Sequence, residues 1–361
     1  MHNQFQIGID LGGTKIEIAA LNNQGEFVYR KRSPTPKNDY KKTIQTIASL
    51  LNELEQKIGI QKSLGIGIPG SISPFSGVVR NGNSTWLNGK NLNKDLSELI
   101  NKKIFIENDA NCFAISESID GAGANYKSVF GVIMGTGVGA GLVINKKIIK
   151  GFNGIAGEWG HNSLPWMNKN EIRKRNCWCK LNNCIETFIS GPSVEKEYSK
   201  LNNESFSLKE IVKRDKKNNM PSKIVIDNLV NRTSRCLALV INIFDPEIIV
   251  LGGGLSNIDR LYEEVPKLWG RWIFSDKIKT KIKKAKFGDS SGVRGSAWLN
   301  SNIANSNIAS LLAILAIQVT AAVPEGVLST EIEIYYGQAK GRLRRTLINR
   351  AINLWQPFCG Q

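Results

Sequence analysis

The chain has 361 residues, 41% of them hydrophobic, and a formal net charge of +17. This length exceeds one average domain and predicts a soluble globular protein with two lobes. The charge does not indicate nucleic-acid binding, because the lysines are scattered and form no arginine-rich stripe with interleaved aromatic residues. The residues after Met1 lack the basic region and apolar core of a secretory signal, so we expect a cytoplasmic protein with no nucleic-acid or membrane partner.

The N-terminal part of the chain predicts a sheet with a helical crossover. Alternation of apolar and polar residues predicts strands at Phe5–Ile9, Ile16–Leu21 and Phe27–Arg30. Apolar residues at helical spacing predict a helix over 39–58, which returns the chain to a buried strand at Leu64–Ile68. A further strand at Ile104–Glu107 leads into polar residues and a helix. Polar residues placed directly after strands indicate a site at the strand ends.

The middle of the chain repeats this strand-turn-strand pattern. Strands predicted at Val129–Met134 and Gly141–Ile144 flank a glycine-rich loop at 135–141. A long helix over Val225–Ile243 precedes the strand Ile248–Leu251 and a third glycine-rich turn at 252–254. The repeat predicts two related lobes.

Three glycine-rich turns follow predicted strands, and each can bring backbone N–H groups close to anionic oxygens. A simple hairpin turn is the alternative for any one of them. None has the Walker ending or the dinucleotide spacing, so three such turns favour a nucleotide held between two lobes. Asp10, at a strand end, can orient the waters of Mg²⁺. The candidate phosphate-binding residues are Asp10, Gly12, Gly13, Thr14, Lys15, Gly135, Thr136, Gly137, Gly253 and Gly254.

A cysteine cluster follows the only histidine that lies away from the N-terminus. His161, Cys177, Cys179 and Cys184 form a Cys₃His set, the soft tetrahedral combination that binds structural Zn²⁺. Buried free thiols are the alternative. Glu158 and Glu186 flank this set, on backbone that the metal would hold rigid, and are candidates for binding sugar hydroxyls; solvated surface carboxylates are the alternative for both.

Asp109 is the best candidate for a general base. Phosphoryl transfer needs a carboxylate that positions the acceptor hydroxyl and accepts its proton. The alternative is that Asn108 and Asp109 only cap the helix that follows them.

In order and spacing, these motifs resemble the ROK family of sugar kinases and repressors over about residues 5 to 299. The segments 65–74, 83–89, 158–167 and 288–295 resemble its bacterial fructokinase (mannofructokinase) branch. The resemblance implies an α/β actin-like ATPase (ribonuclease H-like) fold with two lobes around a central cleft. Residues 1–118 would form the N-terminal lobe and residues 119–299 the C-terminal lobe.

The resemblance also implies an activity, namely ATP-dependent phosphorylation of a free hexose at its 6-hydroxyl, with D-fructose preferred and mannose accepted. ATP with Mg²⁺ and a structural Zn²⁺ would be the cofactors, Asp109 the base, and a homodimer is compatible with the family. His161 would bind Zn²⁺ through one nitrogen and a sugar hydroxyl through the other. The residues implied to hold the sugar are Gly70, Asn83, Asn108, Asp109, Glu158, His161 and Glu186.

Other activities within the family stay open. A kinase for glucose or an N-acetylhexosamine would share every catalytic residue. A sugar-responsive repressor would carry a helix-turn-helix ahead of the first phosphate loop, for which the residues before Asp10 are too few.

The chain departs from the family pattern in two places. Lys180 and Asn183 replace the glycines of Cys-x-Cys-Gly-x-x-Gly-Cys, which costs roughly 1–2 kcal/mol for the lysine if a left-handed backbone is retained. Zinc is still expected, bound more weakly. Residues 300–361 lie beyond the family match, and we interpret them as an appended helical tail whose apolar run at 308–323 is too short for a membrane span.

Overall fold

The structure is a computed structural model that describes residues 5–299. The predicted helical tail at 300–361 lies outside the described residues. Within residues 5–299, none of the helices has both the length and the apolarity to cross a lipid bilayer.

The first lobe is built on a five-stranded sheet with the order β3-β2-β1-β4-β7. Its strands are β1 (Gln6–Leu11), β2 (Lys15–Leu21), β3 (Phe27–Pro34), β4 (Ser63–Ile68) and β7 (Lys103–Asn108). The first three strands pair antiparallel, and β1, β4 and β7 run parallel. Parallel strands end at the same edge of a sheet, so the loops that follow β1, β4 and β7 lie next to one another. Asp10, Ile68 and Asn108 stand at these strand ends.

Helices cover this sheet, and a small hairpin forms a separate two-stranded sheet after β4. Helix α1 (Tyr40–Ile58) is capped at its N-terminus by Asp39, whose side chain accepts a hydrogen bond from Lys42 N. The buried face of α1 includes Ile47 and Leu51. The remaining elements are the hairpin strands β5 (Ser71–Ile72) and β6 (Val79–Arg80), and helix α2 (Leu92–Ile100).

The second lobe repeats the first. Its sheet has the order β10-β9-β8-β11-β12, again with two antiparallel pairings followed by two parallel ones. The strands are β8 (Ser128–Met134), β9 (Val138–Ile144), β10 (Lys147–Ile148), β11 (Ile248–Gly252) and β12 (Lys281–Lys284). The helices that accompany it are α4 (Glu186–Ile189), α5 (Gly191–Asn202), α6 (Leu208–Asp215), α7 (Met220–Phe244) and α8 (Arg260–Leu268).

The second glycine-rich loop is shorter than predicted. Val138 pairs with Met134 at the start of the β8–β9 hairpin, so only Gly135, Thr136 and Gly137 form the loop. The glycines at 139 and 141 belong to β9. Helix α3 lies against this strand, and a side chain at Gly141 would not fit because its Cβ atom would lie 2.6 Å from Ala110 O.

Two helices cross between the sheets. Helix α3 (Asp109–Ile119) leaves the first sheet and packs on β8 and β9, whereas α9 (Ser291–Trp298) returns from the second lobe and packs on β1 and β4. They meet at Gly295, where a Cβ atom would overlap the carbonyl of Cys112. The last helix of the segment 119–299 therefore lies on the first sheet.

The cysteine-rich segment has little regular structure and relies on tight turns. Its bridges join Ser163 to Cys184 and Asn176 to Asn182. Lys180 and Asn183 have φ angles of 73° and 58°, so the left-handed geometry expected at the replaced glycines is retained. Asn183 gains a hydrogen bond there, because its Oδ1 accepts from Arg175 N at 2.8 Å. The strain is therefore concentrated at Lys180, whose side chain is exposed.

Replacement of Lys180 by glycine is expected to raise the free energy of unfolding by about 0.5–1 kcal/mol. Relief of the left-handed strain gains about 1–2 kcal/mol, and the greater freedom of glycine in the unfolded chain takes back about 0.4–1 kcal/mol. Urea unfolding of zinc-saturated protein measures the change. Lys174→Gly is the matched control, because this exposed lysine has no positive φ and its replacement should lower stability. A Lys180→Gly protein that is less stable than the parent would contradict the prediction.

Candidate active site

The three glycine-rich loops lie at strand ends. In the first, Gly12 N donates to Lys15 O at 2.9 Å, and Thr14 and Lys15 remain exposed. In the second, Gly135 N donates to Gly137 O at 2.9 Å. Gly253 of the third loop has a φ of 77° and lies so close to Met134 that a Cβ atom would overlap its carbonyl. The second and third loops are thus neighbours at the ends of β8 and β11.

Asp10 lies at the end of β1, beside the start of α9. A Cβ atom at Gly292 would lie 3.0 Å from its carboxylate, so the backbone of α9 approaches it closely. Burial and then the charge of Asp109 raise the pKa of Asp10 to about 6. A divalent cation offsets both effects, so this carboxylate is suited to a hydrated Mg²⁺.

The sequence left two roles open for the pair Asn108 and Asp109, a general base and a helix cap. Asn108 is the helix cap: its Oδ1 accepts from Ala110 N at 2.8 Å, and its Nδ2 donates to Gly70 O at 2.9 Å. Asp109 is the first residue of α3 and is exposed, and its Oδ1 also accepts from Ala110 N at 2.8 Å, so it shares in capping the helix. Protein nevertheless surrounds the carboxyl group, and this desolvation, together with the charge of Glu158, raises the pKa of Asp109 to about 6.

The predicted metal ligands come together. The ligand atoms of His161, Cys177, Cys179 and Cys184 all lie within 4.8 Å of one another. Cys177 Sγ lies 3.6 Å from His161 Nδ1, and Cys179 Sγ lies 3.6 Å from Cys184 Sγ. A tetrahedral zinc ion with bonds of about 2.3 Å to sulfur separates its sulfur ligands by roughly 3.8 Å. The donor set and its spacing therefore fit one zinc ion.

Glu186 joins this cluster to the second glycine-rich loop. Its Oε1 accepts from Trp178 Nε1 at 2.8 Å, and its Oε2 accepts from Val138 N at 2.8 Å. Trp178 also contacts the His161 ring edge-to-face, with 4.9 Å between ring centroids. The sequence analysis missed Trp178, although its position between Cys177 and Cys179 placed it beside the metal ligands.

The other predicted sugar-binding residues lie along the same edge of the cleft. Glu158 directly precedes the turn that carries His161, and burial raises its pKa. Gly70 contacts Asn108 as described above. Asn83 is exposed beside Ser84, whose Oγ would lie 3.4 Å from a Cβ atom at Gly13. The first glycine-rich loop and the segment of Asn83 are thus adjacent.

Four residues next to this edge also escaped the sequence analysis: Ser71, Glu107, Asn111 and Lys150 line a cavity with Asn108 and Glu158. The only sign of them in the sequence was that Glu107 and Asn111 lie on either side of Asn108 and Asp109. Lys150 comes from the other lobe, so sequence spacing could not connect it to them.

Comparisons with known proteins agree with this geometry. The profile of the ROK family matches residues 6–303. An N-acetyl-D-glucosamine kinase of Yersinia enterocolitica is 38% identical over 297 residues, which cover 81% of this chain and 98% of that protein.

Two solved structures have the same fold. The ROK hexokinase of Thermus thermophilus matches with a TM-score of 0.72 at 24% identity, covering 81% of this chain and 97% of its own. The ROK glucokinase of Streptomyces griseus, in complex with glucose and AMPPNP, matches with a TM-score of 0.67 at 22% identity. The match covers 82% of this chain and 98% of that chain. The predicted two-lobed actin-like ATPase fold is confirmed for the described residues. With the family profile spanning most of its length, the chain belongs to the ROK family.

Proposed function

We propose that this protein is an ATP-dependent hexose kinase that phosphorylates the 6-hydroxyl of a free sugar. One observation supports this most: the strand ends place a solvent-open carboxylate with a raised pKa, Asp109, on the cleft edge that carries the glycine-rich loops and the His161 segment. The relatives named above are sugar kinases, which agrees with this arrangement.

In the proposed reaction the protein positions both substrates. The backbone N–H groups of the glycine-rich loops would bind the phosphates of ATP, and Asp10 would help to hold Mg²⁺. Bound Mg²⁺ supplies positive charge against the transferring phosphoryl group. Asp109 accepts the proton of the sugar 6-hydroxyl as the hydroxyl oxygen bonds to the γ-phosphorus, and the bond from that phosphorus to the β,γ-bridging oxygen breaks so that ADP leaves.

The cysteine cluster would act on the sugar through His161. The four ligands would hold Zn²⁺, which supplies a rigid attachment for the imidazole. Since Nδ1 of His161 faces Cys177, Nε2 is left for a sugar hydroxyl. Glu186, tied to Trp178 and Val138, would couple the same unit to the phosphate loop.

Two acceptor sugars have support. The segments resembling the fructokinase branch favour D-fructose, with mannose as a second acceptor, whereas the curated relative from Yersinia enterocolitica is an N-acetyl-D-glucosamine kinase. We propose fructose as the preferred acceptor and N-acetylglucosamine as the second candidate.

A coupled assay of ADP release with fructose, mannose, glucose and N-acetylglucosamine tests the activity and the acceptor together. Fructose is expected to give the highest kcat/KM, and mannose a lower one. A higher value with N-acetylglucosamine would favour the second candidate. If the protein binds ATP but phosphorylates none of the four sugars, the kinase proposal is wrong.

The role of Asp109 predicts a pH dependence. Its pKa is raised from 3.8 to about 6, so the ionised base is present above pH 6 and is lost on acidification about two pH units earlier than for an ordinary aspartate. We expect kcat/KM for the sugar to fall below about pH 6. Asp109→Ala should lower kcat by about 10²–10⁴-fold while leaving the Kd for ATP within about twofold.

Asp276→Asn, at an exposed carboxylate, is the matched control and should leave the profile unchanged. Turnover close to the wild-type rate in Asp109→Ala, or an acid limb near pH 4, would refute the assignment.

The zinc site predicts about one zinc per chain in purified protein. Cys184→Ala should lose the metal and most of the sugar kinase activity, because His161 is then no longer oriented. Cys236→Ala, at a buried thiol on α7, should retain both. Protein that contains no zinc and keeps full activity under strong chelation would contradict this part of the proposal.

A further inference from the structure

A largely enclosed cavity of about 70 Å³ lies between the lobes, beside Asn108 and Glu158. The first lobe contributes the hairpin strand β5 and the junction of β7 with α3, and the second lobe contributes β9 and the loop after β10. Besides Asn108 and Glu158, which are already among the predicted sugar-binding residues, its polar wall contains Ser71, Glu107, Asn111 and Lys150. None of these four is among the residues already assigned to phosphate, zinc or proton transfer.

Two polar atoms in this wall have no protein partner. They are Ser71 Oγ and Asn111 Oδ1, and both residues are more than nine-tenths buried, with 8% and 7% of their surface exposed. A buried polar atom without a hydrogen bond costs about 1–3 kcal/mol, so such atoms usually face a ligand or an ordered water. The cavity therefore offers a site for a group that can both donate and accept.

Neighbouring charges fix the direction of the Asn111 amide. Its Nδ2 donates to Glu107 Oε2 at 3.1 Å, which leaves Oδ1 as the atom without a partner. Glu107 in turn forms an ion pair with Lys150, which reaches across from the other lobe. The wall thus presents an acceptor from Asn111, a hydroxyl from Ser71 and the ammonium group of Lys150.

This set of groups suits a hydroxyl better than an acetamido group. A hydroxyl donates to Asn111 Oδ1 and accepts from Ser71 or Lys150. An acetamido group could make similar bonds, but it would also place an apolar methyl group against the charged Glu107–Lys150 pair that lines the cavity, where the methyl group forms no hydrogen bond. A hydroxymethyl group with one water fits within a cavity of this size.

We propose that this cavity is the subsite that selects the acceptor, and that it takes a hydroxyl-bearing substituent of a ketohexose in preference to the acetamido group of an amino sugar. The proposal rests on the proposed sugar kinase function. Ser71 and Lys150 are its specificity-determining residues, because they supply the donors to the bound hydroxyl.

Ser71→Ala and Lys150→Met test the subsite, with Ser76→Ala on the same hairpin and Lys147→Met on β10 as matched controls. Each test variant is expected to lower kcat/KM for fructose at least tenfold, mainly through KM. The value for N-acetylglucosamine and the KM for ATP should change less than threefold. The control variants should match the wild type for every substrate.

Several outcomes would overturn the subsite. Equal losses for fructose and N-acetylglucosamine would indicate a merely structural role, and unchanged fructose kinetics would show that the cavity does not contact the sugar. A wild-type preference for N-acetylglucosamine would also overturn it while leaving the kinase function intact. A wild-type protein that phosphorylates none of these sugars would overturn the proposed function together with the subsite.

Discussion

The crossing of α3 and α9 is the contact on which the site depends. These helices approach so closely at Gly295 that no side chain fits between that residue and the backbone of Cys112. Helix α3 begins with Asp109, and the first turn of α9 lies against Asp10. The tight helix contact therefore brings the start of α3, with Asp109, and the first turn of α9, beside Asp10, to the same region, and the charge of Asp109 is one reason why the pKa of Asp10 is raised.

The cysteine-rich segment is held from two sides. On one side Trp178 and Glu186 attach it to the end of the second glycine-rich loop. On the other side Arg235 donates to Pro165 O at 3.0 Å and, together with Arg232, pairs with the buried Glu171. Burial opposes the ionisation of Glu171, but these arginines lower its pKa to about 2. Glu171, which precedes the cysteines in the chain, is thus fully ionised and tied to two arginines of α7, and this helps a segment with little regular structure to hold its four side chains together.

Local patterns in the sequence predicted the local structure well. The strands from β1 to β4 form within a few residues of their predicted bounds, because alternation of buried side chains is a property of neighbouring residues. The clustering of His161 with Cys177, Cys179 and Cys184 was also predictable, since few chemistries explain one histidine and three cysteines at that spacing. Lys180 could be predicted to be strained because the expected turn demands a left-handed residue.

Contacts between distant segments were not predictable in this way. The placement of α9 depends on Gly8 and Gly65, where it meets the first sheet, and on Gly295, where it meets α3, and their common role is visible only in the assembled fold. The pairing of Glu107 with Lys150 joins residues of different lobes and follows from the cleft geometry rather than from spacing. The shorter second loop reflects the packing of α3 against β9, which again is a tertiary constraint.

Because both lobes contribute residues to the polar cavity, its shape depends on how the lobes meet, which matters for the choice of substrate. Its walls come from both lobes, and the contacts that link them include the Glu107–Lys150 pair and the hydrogen bond from Arg80 to Asn153 O. In the proposed reaction, an open cleft contains only half of the subsite, so the sugar is recognised during closure and not before it. A sugar that fits poorly fails to support the closed form in which the γ-phosphate would be shielded from water. The cavity would then protect ATP from wasteful hydrolysis as well as choosing the sugar.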